Sequence, residues 1–97
     1  MSMEKLAECR RQIDLIDVQI LALLNERTGI VHEIGRIKQA LALPIYEPKR
    51  EDQVFDNISQ ASGDGPLTKE AVRRIYERII DEMRMVQRVR MVQDGDE

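Results

Sequence analysis

The fold is decided by residues 6–41, LAECRRQIDLIDVQILALLNERTGIVHEIGRIKQAL. Apolar side chains return there at alternating steps of three and four positions, the ~3.5-residue repeat of a helix that packs along one face. The pattern predicts one very long helix over about residues 4–41. We call the repeating row the apolar seam of helix 1; its members are Leu6, Cys9, Ile13, Ile16, Ile20, Leu23, Arg27, Ile30, Ile34, Ile37 and Leu41.

Arg27 is the one charged member of the seam. A guanidinium group is permanently charged and is costly to bury without an anionic partner. Lys38 stands eleven positions further on, about three full turns at ~100° per residue, so the two cations share one face ~16 Å apart. This arrangement predicts an anion held between helices. Two plainer interpretations stay open: Arg27 in an ion pair with a carboxylate of another helix, and Lys38 as an edge residue whose ammonium extends to water.

The composition indicates a single all-α domain over residues 1–97. Charged residues make up 34% of the chain and aromatic residues only 3%, a balance that favours helix over sheet. The net charge of −3 offers no general attraction for nucleic acid or an anionic membrane, and no stretch approaches the ~18 apolar residues of a membrane span. Cys9 is the only cysteine, which suits a reducing cytoplasm. We therefore expect a cytoplasmic protein with no nucleic-acid or membrane partner.

Two prolines separate the first helix from the second. Pro44 prevents helix 1 from continuing, and Pro48 suits the first turn of helix 2. A Ser-Gly-Asp-Gly-Pro turn at residues 62–66 ends helix 2, and Thr68 is placed to cap helix 3. The predicted helices cover about residues 4–41, 48–61 and 69–92.

Helix 1 is too long for a compact single copy of this chain. At ~1.5 Å per residue it extends to nearly ~60 Å, whereas a compact monomer of this size has a radius of gyration near ~13 Å. Part of the seam would stay uncovered, so we predict an intertwined homodimer. In antiparallel long helices, Arg10 of one copy approaches Arg27 of the other, which would build two equivalent anion sites per dimer. The alternative for Arg10 is a solvated face.

Two charged residues open helix 2 directly after the prolines. Arg50 aligns with Val54 and Ile58 at four-residue steps, and we expect it to point inward. The adjacent Glu51 would let the same end of the helix bind both a carboxylate and a hydroxyl of a ligand. The alternative is an ordinary charged helix start.

Gln87 is a polar residue on the apolar face of helix 3 that contains Ile80 and Met83. A buried amide without a partner costs about 1–3 kcal/mol, so we expect it to bind a backbone carbonyl or a ligand oxygen. His32 is the only histidine, and no spacing of metal ligands or of a nucleophile and its base accompanies it. The expected site holds cations, an amide and carboxylates without metal or cofactor. Such a set favours electrostatic and conformational catalysis, or binding alone.

Five motifs together resemble the all-helical class of chorismate mutases, over the chain from about Leu6 to Gln87. They are RRQIDLID at residues 10–17, LLNER at 23–27, IGRIK at 34–38, KRE at 49–51 and Gln87. Residues 43–51, LPIYEPKRE, look especially like mutase domains fused to 3-deoxy-7-phosphoheptulonate synthase, the first enzyme of the shikimate pathway. The resemblance implies a domain-swapped dimer with two active sites. Each would convert chorismate to prephenate, the step committed to phenylalanine and tyrosine.

The resemblance also implies which side chains hold the substrate. Arg27 and the partner subunit's Arg10 would clamp the two carboxylates of chorismate. Arg50 would support this clamp, and Glu47 would support the loop over the site.

For the reacting bonds, the resemblance implies that Lys38 and Gln87 donate hydrogen bonds to the ether oxygen, where negative charge grows as the C–O bond breaks. Glu51 would accept a hydrogen bond from the ring hydroxyl. Met83 stands where many family members have a serine, so we expect weaker substrate binding without loss of activity. Because Gln87 is neutral, kcat should depend little on pH near neutrality.

Two other functions stay open as alternatives. Isochorismate-pyruvate lyases share this fold and a similar cationic pocket, but their helix-2 opening lacks an acid directly after the arginine, so Glu51 favours the mutase. The other is a non-catalytic helical dimer, either a coiled coil or a regulatory domain that senses prephenate or chorismate. A plain coiled coil gives no reason for Arg27, Lys38 and Gln87 all to face inward, whereas sensing can coexist with mutase activity.

Overall fold

The computed structural model describes the backbone of residues 2–95 and the side chains of residues 2–89. Its elements are three α-helices, and the described part contains no strand, which confirms the predicted all-α, three-helix chain. The predicted bounds agree to within one residue for the first two helices, and the third continues three positions beyond its predicted end. No helix in this part of the chain is long and apolar enough to cross a membrane. The observed helices are α1 (Met3–Ala40), α2 (Pro48–Ser62) and α3 (Lys69–Gly95).

The chain divides into two compact units, residues up to Ile30 and residues from Val31 onward, and α1 contributes to both. In the first unit Ser2 caps the start of α1, since its hydroxyl accepts a hydrogen bond from Lys5 N at 3.2 Å. The apolar seam of this unit is exposed within one chain; the relative exposure of Ile13, for example, is 56%. That a second copy covers the seam stays a prediction.

A Schellman motif ends α1 and turns the chain beside its last helical turn. Leu43 N donates to Lys38 O at 2.8 Å, and Ala42 N donates to Gln39 O at 3.2 Å, the two bonds that define this motif. Ala42 takes the left-handed conformation with a φ of 57°, which costs a residue with a Cβ about 1–2 kcal/mol. After this turn the loop passes the side chain of Lys38, where the backbone carbonyl of Ile45 accepts a hydrogen bond from Lys38 Nζ.

The starts of α2 and α3 follow the sequence prediction. Pro48 is the first residue of α2, and Glu47 precedes it without a side-chain capping bond. Thr68 caps α3 as predicted, because its Oγ1 accepts a hydrogen bond from Ala71 N at 3.1 Å. These local signals set where each helix begins.

The core of the second unit is small and contains two polar side chains. Val31, Ile80 and Met83 are its buried apolar residues among those described. Lys38 and Gln87 are buried with them, at 6% and 8% relative exposure. Burying a polar or charged group costs free energy unless it finds a partner, so the partners of these two residues mark the candidate site.

Candidate active site

The ammonium of Lys38 is the centre of the candidate site. It lies in the last turn of α1, where the helix dipole favours a positive charge. Its Nζ is 2.7 Å from Glu47 Oε1 and donates to Ile45 O at 2.9 Å, both in the loop before α2. It also donates to Gln87 Oε1 of α3 at 3.3 Å. One cation therefore joins the end of α1, the loop and α3.

Gln87 is held in a defined orientation by this contact. Its amide oxygen faces Lys38 Nζ, which leaves the amide NH2 group to donate elsewhere. Gly35 of α1 lies directly against the stem of Gln87: a Cβ at position 35 would be 3.6 Å from Gln87 Cγ. This is an ordinary van der Waals distance, so a Cβ would also fit between α1 and the glutamine.

A second polar pair joins α2 to α3. Arg84 Nε lies 3.0 Å from Glu51 Oε2, and Arg84 Nη2 donates to Glu51 Oε1 at 3.4 Å. The Nε contact is an ion pair without hydrogen-bond alignment. Nη2 also donates to Asp81 Oδ1 at 2.9 Å, and the guanidinium carbon lies 5.6 Å from the centre of the Tyr46 ring. Glu51 is thus already paired within the chain.

Arg84 was not predicted from the sequence as a site residue. The available signal was its position, next to Met83 and three residues before Gln87, with Asp81 one turn earlier. A cation on the edge of the buried face of α3 could have been paired with the acid that opens α2. Spacing along a single helix does not show which acid of another helix it meets.

Arg50 lies differently from the prediction. It is exposed, and its Nη1 donates to Gln53 Oε1 at 3.4 Å, whereas the alignment with Val54 predicted an inward side chain. The inward orientation is wrong for the single chain because the long side chain follows its own helix to Gln53 instead of entering the core. A role for Arg50 in substrate binding stays a prediction.

The remaining candidates, Arg10 and Arg27, belong to the first unit. Arg10 is exposed and Arg27 is half-buried. Both stand on the part of α1 whose apolar seam is exposed, including Ile16 at 46% and Ile20 at 49%. The second unit meanwhile brings Lys38 to two of its predicted companions, Glu47 and Gln87.

The second unit's cluster is suited to binding oxygen atoms of a ligand. It offers an ammonium and an amide in a buried setting, where charge-assisted hydrogen bonds are strong. Met83, four residues before Gln87 on α3, is also buried, but its thioether cannot donate a hydrogen bond. Within the described residues, no three His, Cys, Asp or Glu side chains are grouped closely enough to hold a metal ion.

The chain belongs to the family described as chorismate mutase type II, whose family model matches residues 9–88. It is 33% identical over 85 residues to a chorismate mutase of Methanocaldococcus jannaschii, covering 88% of this chain and 86% of that protein. The chorismate mutase (Form II) structure from Thermus thermophilus has a TM-score of 0.82 and 32% identity, covering 87% of this chain and 94% of that one. The resemblance to this family is therefore confirmed.

Other relatives are longer than this chain. The bifunctional chorismate mutase/prephenate dehydratase of Aquifex aeolicus is 43% identical over 81 residues, which is 80% of this chain but 22% of that protein. The corresponding enzyme of Neisseria gonorrhoeae is 41% identical over 85 residues, 88% of this chain and 23% of that protein. The chain thus spans about a fifth of the length of these fused relatives.

Proposed function

We propose that this chain catalyses the rearrangement of chorismate to prephenate. The observation that carries the proposal is the buried pair of Lys38 and Gln87, two donor side chains from different helices within a chain of the type II family. The reaction is a unimolecular shift in which one C–O bond breaks and one C–C bond forms, so it needs neither nucleophile nor cofactor. Holding the substrate folded and stabilising the charge on its ether oxygen are sufficient.

Lys38 supplies the principal charge at the ether oxygen. An ammonium has three donors, and Glu47, the Ile45 carbonyl and Gln87 occupy all three within the chain. The contact with Gln87 Oε1 is the longest at 3.3 Å, so we expect the ether oxygen to replace it. Glu47 and Ile45 then keep the ammonium in place, and the Gln87 amide turns its NH2 group toward the same oxygen.

The two carboxylates of the substrate need cationic partners in addition to the Lys38–Gln87 pair of the second unit. Arg27 of one copy and Arg10 of a partner subunit are the proposed clamp, with Arg50 in support. The exposed apolar seam supports a homodimer, because exposed apolar rows of this length mark an interaction surface. Each dimer would then contain two sites, and every site would use Arg10 from across the interface.

Glu51 and Met83 set how the ring is held. Glu51 would accept a hydrogen bond from the ring hydroxyl with a lone pair that its contacts to Arg84 leave free. The thioether of Met83 cannot donate a hydrogen bond to the substrate at the position where many family members have a serine. We therefore expect a raised KM and a preserved kcat relative to a chain with serine at position 83.

We also propose a cytoplasmic location and a working partnership, fused or in a complex, with 3-deoxy-7-phosphoheptulonate synthase. The support for the partnership is the resemblance of residues 43–51 to mutase domains joined to that enzyme. Co-purification of the synthase with this chain from its own cells would support it. Co-purification of prephenate dehydratase instead would point to the arrangement of the bifunctional relatives.

The experiment that tests the activity is a chorismate-depletion assay on the purified 97-residue chain, with the product identified by NMR. No metal or cofactor is added. Prephenate as the product is the expected result, and Lys38→Met serves as the matched inactive variant. No turnover by a folded dimer would contradict the proposal, and isochorismate would then be tested as a lyase substrate and prephenate as a sensed ligand.

A further inference from the structure

Arg84 makes a pair with Glu51 that differs from the other arginine pairs of α3. It crosses from α3 to α2, and the two side chains are only 29% and 19% exposed. The pairs of Arg78 with Glu82 and of Arg73 with Glu77 run along one helix, and all four side chains are about half exposed or more. Less solvent around the Arg84–Glu51 pair means less screening of its charges.

The guanidinium of Arg84 is itself held in place from two other sides. Asp81 accepts a hydrogen bond from its Nη2 at 2.9 Å, and Tyr46 presents its ring 5.6 Å from the guanidinium carbon. Tyr46 stands between Ile45 and Glu47, both of which contact Lys38. Arg84 thus connects Glu51 to the loop that also holds Lys38.

We infer that Arg84 is a positioning residue, which orients the Glu51 carboxylate and cancels its charge so that the site accepts a dianionic substrate. This inference rests on the proposed role of Glu51 as acceptor of the ring hydroxyl. A carboxylate without its cation would repel a ligand that carries two negative charges. Two contacts to one carboxylate also fix its plane, and they leave lone pairs for one hydroxyl donor.

The test is a double-mutant cycle between Arg84→Met and Glu51→Gln, measured as kcat and KM for chorismate. Glu51→Gln alone should raise KM, because it weakens a hydrogen bond present in both ground and transition states. Arg84→Met alone should raise KM about 10-fold with kcat within about threefold. In the Glu51→Gln background, Arg84→Met should change KM less than about twofold, because the charge on which Arg84 acts is gone.

Two further variants separate positioning from a structural role. Arg84→Lys keeps the charge and should restore KM to within about threefold of the parent chain. Arg78→Met removes an exposed arginine of the same helix and should leave both constants unchanged. Helicity and Tm are compared for all variants, so that a loss of folding is seen directly.

The outcomes are distinguishable. An unchanged KM in Glu51→Gln removes the proposed role of Glu51 and the positioning role with it. A raised KM in Glu51→Gln with no effect of Arg84→Met overturns the positioning role alone. Additive effects on KM in the double variant also overturn it, because Arg84 would then act on the substrate independently of Glu51.

Discussion

Lys38 Nζ and Gln87 Oε1 lie 3.3 Å apart although the two residues are 49 positions apart in the chain. Each group lowers the cost of burying the other, since the ammonium gains an acceptor and the amide oxygen gains a charged donor. Glu47 completes the charge balance of Lys38 at 2.7 Å. Glu47 and the Ile45 carbonyl therefore hold the Lys38 ammonium in place before a substrate binds, as electrostatic catalysis requires, whereas the Gln87 amide turns when the ether oxygen replaces its oxygen.

Lys38→Met removes the cation at the proposed position of the ether oxygen. We expect kcat/KM to fall at least ~100-fold, the usual effect of losing one donor to a developing oxyanion. The free energy of unfolding should fall by about 1–3 kcal/mol, because the buried amide oxygen of Gln87 loses its donor, whereas Glu47 is 47% exposed and stays hydrated. Steady-state kinetics and thermal unfolding measure the two effects. Lys49→Met, at an exposed lysine of α2, is the control, and activity of Lys38→Met within about threefold of the parent would contradict the role.

Gln87→Glu replaces a neutral donor by a group that donates only when protonated. The Lys38 ammonium beside position 87 favours the ionised form of the new carboxyl. At neutral pH we therefore expect kcat to be far below that of the parent, and to rise as pH falls toward the ordinary pKa of a glutamic acid, ~4.3. The parent chain, with its neutral amide, should show a nearly flat pH profile of kcat near neutrality. A flat profile in the variant as well would remove Gln87 from the reacting oxygen.

The burial of Gln87 and the position of Lys38 were predictable because each follows from periodicity within one helix. The starts of α2 and α3 were predictable for a similar reason, since Pro48 and Thr68 are local signals. The link between Glu51 and Arg84 was not, because it depends on how α2 and α3 lie against each other. Helical spacing constrains one helix at a time and leaves such a pair open.

The contacts of Lys38 with the loop depend on a left-handed turn at an alanine, a residue type that disfavours this conformation. The Schellman motif places Ala42 at a φ of 57°, where glycine is the usual residue. A sequence without glycine after α1 therefore hides this turn, and with it the approach of Ile45 and Glu47 to Lys38. The orientation of Arg50 was also missed, since a long side chain can follow its own helix from almost any position.

Ala42→Gly should stabilise the chain because it relieves the left-handed conformation at this turn. We expect a gain of about 0.5–1 kcal/mol in the free energy of unfolding, the relief being partly offset by the greater freedom of glycine in the unfolded chain. Ala22→Gly, inside α1, is the matched control and should lose about 0.5–1 kcal/mol. Chemical denaturation at equal protein concentration compares them. A lower midpoint for Ala42→Gly would show that the turn carries no strain in solution.

The proposal that one site draws on two copies of the chain is tested most directly by mixing two inactive variants. Arg10→Ala and Lys38→Ala homodimers each carry a defect in both sites, whereas a hybrid dimer has one site with both defects and one site intact. Subunits are exchanged by unfolding and refolding an equal mixture, and hybrids are verified by native mass spectrometry. We predict recovery to about a quarter of the parent's chorismate turnover, because half of the dimers are hybrids with one intact site of two. No recovery in verified hybrids would contradict a site shared between two copies.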